Sequence, residues 1–201
     1  MKFKESITRE EIAELPIAVY EGRVVIVDDE QDVKAAVEPL LNASVLGFDT
    51  ETRPAFKKGE KYPVSLLQLA TPDYVVLFRL NKIKLPALVV SIFENPNIIK
   101  VGVGIRDDIK ALNGSRPIQP KGFVDLQVVA SDYGIKDKSF SKLMAILFGV
   151  HTSKRQRVTN WAADELTEAQ IRYAATDAWG ACIMYNKLKS CEAPISIKSE
   201  V

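Results

Sequence analysis

Acidic side chains follow an apolar strand pattern in the segment VLGFDTET, from Val45 to Thr52, which places Asp49 and Glu51 two residues apart. Side chains alternate faces along an extended chain, so these two carboxylates project from one face roughly 6–7 Å apart. Two carboxylates this close disfavour each other's ionisation unless a cation lies between them. The segment by itself therefore predicts, about equally, a divalent metal site or a strand that ends in water.

Two further segments place acids on elements that do not need them for packing. KVGVGIRDDIKAL runs from a strand pattern into a helix pattern with Asp107 and Asp108, and YAATDAW sets Tyr173 and Asp177 four residues apart on one helix face. Each alone is explained by the helix dipole or by an exposed helix face. Together with the first segment they supply the carboxylates that Mg²⁺ or Mn²⁺ and two-metal phosphoryl chemistry require.

Composition is that of one globular domain. The chain has 201 residues, 47% of them hydrophobic, with 27 basic against 26 acidic residues. The balanced charge predicts no overall attraction to a polyanion, so any nucleic-acid binding must come from a local patch such as SKRQR, 153–157, which follows the sole histidine, His151. A short basic run is more often only a solvated loop.

No apolar run is long enough to span a membrane and no secretory signal is present, which predicts a cytoplasmic protein without a membrane partner. The only cysteines, Cys182 and Cys191, form no CxxC pair, so we expect reduced, structural thiols and no zinc site.

The elements that must position the acids follow from periodicity. The patterns predict strands over 23–27, 45–51, 64–70, 74–78 and 97–104, and helices over 28–43, 85–95, 105–112, 123–134, 139–149 and 166–190. Thr167 and Gln170 predict a capping box at the start of the last helix. We expect an N-terminal arm over 1–22, one α/β or α+β domain with a mixed sheet over 23–190, and a tail over 191–201.

The three acidic segments together resemble the motifs of DEDD-superfamily 3′–5′ exonucleases of the tyrosine subclass. Asp49 and Glu51 match its D-x-E motif, the stretch from Lys100 to Asp108 matches K-V-G-x-x-x-x-x-D, and Tyr173 with Asp177 matches Y-x-x-x-D. The likeness covers about residues 23–190. It is stronger to the Werner syndrome exonuclease branch than to ribonuclease D or the proofreading domain of bacterial DNA polymerase I. The resemblance implies an α/β, ribonuclease-H-like fold, with a mixed five-stranded sheet flanked by helices.

The resemblance also implies a metal-dependent 3′–5′ exonuclease that releases nucleoside 5′-monophosphates from a nucleic acid, with DNA favoured. Four acids would hold two Mg²⁺ or Mn²⁺ ions, namely Asp49, Glu51, Asp108 and Asp177. Tyr173 would orient the attacking water.

Substrate contacts are expected from residues around these motifs. Thr50 is expected to bind substrate, and Leu67, with the apolar residues around the D-x-E motif, would stack against the last bases. The SKRQR loop, which lies just upstream of Tyr173, would bind phosphates through Lys154, Arg155 and Arg157.

The sequence departs from the Werner-type pattern at Asp107 and Lys110. Neighbouring residues on a helix point about 100° apart, so only one of Asp107 and Asp108 can face the metals well. The spacing from Lys100 selects Asp108.

Three other functions stay open. The four acids do not read the sugar, so ribonuclease D-like trimming of RNA 3′ ends is an alternative. The others are an inactive nucleic-acid-binding module and a phosphatase or nucleotidase acting on small molecules.

Overall fold

One mixed β-sheet forms the centre of the protein. A computed structural model describes residues 3–57 and 59–191. The strands are β1 Arg23–Val27, β2 Val45–Thr52, β3 Val64–Ala70, β4 Tyr74–Phe78, β5 Ile99–Gly102 and β6 Phe123–Asp125. The α-helices are α1 Arg9–Ala13, α2 Val33–Leu41, α3 Leu80–Ile83, α4 Ala87–Glu94, α5 Arg106–Ser115, α6 Leu126–Asp132, α7 Phe140–Phe148 and α8 Glu168–Lys189. A short 3₁₀ turn, Glu30–Asp32, precedes α2.

The strands lie in the order β1-β4-β3-β2-β5-β6. β3 pairs antiparallel with both β2 and β4, whereas β1 with β4, β2 with β5, and β5 with β6 are parallel pairs. Every residue of β3 and β4 is buried, because helices cover both faces at the centre of the sheet. The predicted α/β architecture with a mixed sheet flanked by helices is confirmed.

The expected number of five strands is wrong, since residues 3–57 and 59–191 form a sheet of six. The segment predicted as a helix over 123–134 begins instead with β6, whose Phe123 lies opposite Lys100 of β5. Helix α6 then begins after Asp125, whose side chain accepts a hydrogen bond of 2.9 Å from the backbone N–H of Gln127. A strand of three residues is too short to show an alternating pattern, which explains the error.

Helices form one layer on each side of the sheet. On one face, α2 and α4 pack through Val37, Leu40 and Ile92 against Leu46 and Phe48 of β2. The opposite face is covered by α6, α7 and α8. Within residues 3–57 and 59–191, no helix combines the length and apolar character needed to cross a membrane.

The N-terminal segment packs onto the domain near α8. Ile17 forms a parallel bridge with His151, just before the basic loop. The backbone N–H of Tyr20 donates a hydrogen bond of 3.0 Å to the Thr176 hydroxyl, and the Arg172 guanidinium donates one of 3.0 Å to the Tyr20 carbonyl. The boundaries at residues 22 and 190 stay predictions, and of the predicted tail only residue 191 lies within the described residues.

Candidate active site

The close approach of α8 to β2 depends on a glycine. A Cβ atom at Gly47 would lie 1.8 Å from the carbonyl oxygen of Ala178, so any larger residue would push the helix away. Small buried residues, Ala174 and Ala178 among them, form this side of α8. The helix therefore carries Asp177 directly to the end of β2, where Asp49 lies two residues beyond Gly47.

Three acids converge at this point. Asp49, Glu51 and Asp177 are half-buried, and each offers a carboxylate oxygen within 4.8 Å of those of the other two. Two of them come from the end of a strand and the third from the middle of the longest helix. The structure thus brings together three of the four acids predicted as metal ligands.

The fourth acid, Asp108, lies in the first turn of α5, outside this triplet. Its carboxylate accepts a hydrogen bond of 2.5 Å from the Thr50 hydroxyl. It nevertheless lies close enough to Asp49 and Glu51 to raise the pKa of both carboxyls. Its neighbour Asp107 is exposed, so the helix turns Asp108 and not Asp107 toward the acids.

Tyr173 lies one turn before Asp177 on α8, next to the turn that contains Trp161. Its ring packs at 5.9 Å from that of Trp161, which is fully buried.

The predicted capping box at Thr167 and Gln170 is confirmed. Gln170 also donates hydrogen bonds to the Thr159 hydroxyl, at 3.0 Å, and to the Asn160 carbonyl. These two bonds connect the turn before Trp161 to the start of α8.

Burial and mutual repulsion raise the pKa values of the clustered acids. Burial raises the pKa of Glu51 to about 8, with further increases from Asp177 and Asp108, and Arg157 opposes the shift. Burial also raises the pKa of Asp177 to about 7, and it holds that of Asp49 well above its ordinary range, where the charges of the neighbouring acids add to the effect. Burial and the same acids raise the pKa of the Tyr173 hydroxyl.

The donor set fits a hard divalent cation. Only carboxylate oxygens converge in the triplet, which is the ligand type of Mg²⁺ and Mn²⁺, whereas structural and catalytic zinc sites take Cys or His. A cation would also relieve the mutual repulsion that raises these pKa values. The residues present are therefore compatible with the metal chemistry expected from the sequence.

The basic loop divides between two neighbouring cavities. Lys154 and Arg157 line a cleft of about 300 Å³ that also contains Asp49, Tyr173 and Asp177. Arg155 lines an adjoining cavity of about 250 Å³, which shares Tyr173 and Asp177 with the first. The three cations predicted to act together thus line two adjoining cavities, and only Lys154 and Arg157 share one with Asp49.

The structure does not support the expectation that Leu67 contacts a base. Leu67 is fully buried and belongs to the core on the α2 and α4 side of the sheet. It lies opposite Thr50 across β2 and β3, so its side chain lies on the face of the sheet opposite to Asp49 and Glu51. The Thr50 side chain likewise donates to Asp108 within the protein.

Apolar side chains that the sequence did not single out line the cleft instead. Val103 and Phe140, both half-buried, form part of its wall. Gly180 of α8 signals this packing, because a Cβ atom there would lie 2.5 Å from the Phe140 ring. A glycine inside a helix is destabilising by roughly 0.5–1 kcal/mol relative to alanine and so points to a close contact.

Comparison with known proteins gives the family to which this fold and this acid cluster belong. A sequence profile described as 3′–5′ exonuclease matches residues 24–191. The chain belongs to this family, and the predicted membership is confirmed.

Relatives and a solved structure agree with this assignment. The chain is 31% identical over 184 residues to the mouse bifunctional 3′–5′ exonuclease/ATP-dependent helicase WRN, with 87% of the chain and 13% of the relative covered. It is 31% identical over 169 residues to ribonuclease D of Gluconacetobacter diazotrophicus, with 82% and 42% covered. The chain thus spans less than half of either relative.

Among solved structures, the exonuclease domain of Aedes aegypti Nibbler superposes with a TM-score of 0.78 at 23% identity, covering 87% of this chain and 91% of that domain. The fold is thus the ribonuclease-H-like fold expected from the motifs.

Proposed function

We propose that this protein hydrolyses phosphodiester bonds from the 3′ end of a polynucleotide and releases nucleoside 5′-monophosphates. The observation that carries the proposal is the convergence of carboxylate oxygens of Asp49, Glu51 and Asp177 within 4.8 Å. Asp49 and Asp177 line a cleft that also contains Tyr173 and two cationic side chains. Family membership supports the reaction class. The four acids, Asp108 included, would hold two Mg²⁺ or Mn²⁺ ions.

When bound, two such ions supply an activated water and stabilise the departing 3′-oxygen. The protein's own residues contribute orientation and binding. The Tyr173 hydroxyl, with its pKa raised, stays protonated and orients the attacking water. Glu51 accepts a hydrogen bond from the terminal 3′-OH, which restricts hydrolysis to a strand end.

The remaining walls of the cleft match a nucleotide. Lys154 and Arg157 are exposed cations that attract phosphates, while Phe140 and Val103 offer apolar surface to a sugar or base. A nucleotide with its phosphate beside the acids and its base against Phe140 contacts both the cationic and the apolar walls of the cleft. A small-molecule phosphatase would need no such extended contact.

DNA is the proposed preferred polymer, because the acidic motifs resemble the Werner-type branch of the family. Trimming of RNA 3′ ends is the second candidate, supported by the 31% identity to ribonuclease D. The charges of the described cleft residues do not distinguish deoxyribose from ribose.

One experiment tests the reaction and the polymer together. The protein is incubated with Mn²⁺ or Mg²⁺ and 5′-labelled DNA or RNA, single-stranded or with a recessed 3′ end, and Asp177→Asn serves as the matched control. We expect a descending ladder and nucleoside 5′-monophosphate products from the parent only.

The other outcomes separate the alternatives. Binding of polynucleotide without any shortening, with every metal and substrate, would indicate an inactive binding module. Phosphate release from mononucleotides without a ladder would indicate a phosphatase. Undiminished cleavage in excess chelator would contradict the metal dependence.

A further inference from the structure

Gln68 occupies a position directly opposite Asp49. The antiparallel register of β2 and β3 pairs the two residues, and side chains paired in this way lie on the same face with Cβ atoms about 4.5–5.5 Å apart. Its neighbours two residues away, Leu66 and Ala70, pack against the alanines of α8. Gln68 therefore faces α8, on the side of the sheet that carries the acid cluster.

The amide of Gln68 is fully buried and unpartnered. Within residues 3–57 and 59–191, neither its Nε2 nor its Oε1 has a hydrogen-bond partner. Burying an amide without a hydrogen bond is unfavourable, and most buried polar side chains in folded proteins have a partner. An apolar residue of similar size, such as methionine, would fill the same space without this penalty. A glutamine at this position is explained if its amide gains a hydrogen-bond partner in another state of the protein.

The adjacent carboxylate can become that partner. An ionised carboxylate has two oxygens and about four acceptor positions, of which a bound ion uses only some. Ligands of a metal are commonly oriented by a second hydrogen bond from a neighbouring side chain. Gln68 carries two N–H donors next to Asp49 and no competing acceptor among the described residues.

We propose that Gln68 is a positioning residue for Asp49: in the metal-loaded protein its amide donates a hydrogen bond to the Asp49 carboxylate and holds that side chain in the orientation that binds the ion. This inference rests on the proposed function. The competing explanation is a structural one, in which the amide bonds a buried water shared with the indole N–H of Trp161, which also lacks a partner among the described residues.

The two explanations predict opposite results for Gln68→Met, a substitution that keeps the volume and removes the amide. If Gln68 serves Asp49, the metal-free variant unfolds at higher urea concentration than the parent, because an unpartnered buried amide is gone. Its affinity for Mn²⁺ falls by about tenfold or more. Gln68→Leu should shift both quantities in the same directions.

Leu77→Met is the matched control. Leu77 pairs with Gln68 across β3 and β4, is fully buried, and packs against the same helix, but it carries no polar group. Its Mn²⁺ affinity should equal that of the parent. The measurements are urea unfolding in chelator and titration calorimetry with Mn²⁺ on the full chain, so neither depends on enzyme activity.

Each other outcome overturns the proposal. If both Gln68 variants bind Mn²⁺ as tightly as the parent, the metal site is intact and Gln68 does not position its ligand. Lower metal-free stability of both variants would show that the amide already has a structural partner. If the parent binds no Mn²⁺, or Asp177→Asn binds it as tightly as the parent, the proposed metal site itself fails and the role of Gln68 with it.

Discussion

The Thr50 hydroxyl donates a hydrogen bond of 2.5 Å to the Asp108 carboxylate, joining the end of β2 to the start of α5. Thr50 lies between Asp49 and Glu51 in sequence but points to the opposite side of the strand. One short segment therefore provides two acids of the cluster and orients a third that comes from another element. This contact is the physical basis for distinguishing Asp108 from its neighbour.

Asp108→Asn should abolish hydrolysis, while Asp107→Asn should keep most of it. Removing a ligand should lower kcat by more than the roughly 10–100-fold typical of residues that only support a ligand. Thr50→Val, which removes the hydroxyl and keeps the shape, should fall within that supporting range. Rates on labelled substrate, with thermal unfolding to confirm the fold, provide the test. A damaging Asp107→Asn beside a harmless Asp108→Asn would place the metal ligand one residue earlier.

Tyr173→Phe should lower kcat by roughly 100-fold, the lower end for a group that positions a proton or water in the transition state. The ring and its contact with Trp161 are retained, so stability and Mn²⁺ affinity should stay close to those of the parent. Tyr185→Phe, on the same helix and buried, is the control and should be active. Loss of folding in Tyr173→Phe would mean that the hydroxyl is structural.

Lys154→Gln combined with Arg157→Gln should weaken substrate binding and flatten its salt dependence. For every phosphate that the variant no longer neutralises, the slope of log affinity against log salt concentration should decrease by about 0.7 on a single strand. Arg155→Gln is the informative comparison, because the cavity that Arg155 lines does not include Asp49. Its slope should be close to that of the parent. A change as large as that of the double variant would show that the substrate also reaches the second cavity.

Local signals in the sequence sufficed for most elements and for the acids. The capping box at Thr167 and Gln170 is encoded within four residues and is confirmed in the structure. Directions that depend on pairing or loop geometry were not predictable. The face of Leu67 follows from the register of β2 and β3. The direction of Arg155 follows from a loop without periodicity, and the unpartnered state of Gln68 depends on everything packed around it.

Lys100 of the second motif should be important for stability. Its side chain is fully buried, and its ammonium donates hydrogen bonds to the carbonyls of Ile92, Asn95 and Ile98 at 2.9, 2.7 and 2.6 Å. Lys100→Met would remove these three hydrogen bonds near the end of α4, so the free energy of unfolding should fall by about 2–4 kcal/mol. Lys110→Met, on the exposed face of α5, should change it little. Urea unfolding of both variants checks this, and equal stability would contradict a structural role for Lys100.

The stability of the metal-free protein should fall as pH rises from about 4.5 to about 8. Burial and neighbouring acids raise the pKa of Glu51 from 4.5 to about 8 in the folded protein. In this window the folded state binds more protons than the unfolded state, so the free energy of unfolding decreases with pH.

Glu51→Gln removes this titration, and its urea midpoint should therefore decline less than that of the parent, whereas Asp107→Asn, at an exposed position, should follow the parent. Saturating Mn²⁺ should stabilise the parent increasingly as pH rises, since ions bind the deprotonated carboxylates. The measurement is urea unfolding across this range in chelator and in Mn²⁺. Identical pH slopes for the parent and Glu51→Gln in chelator would show that Glu51 ionises without the influence of its neighbours.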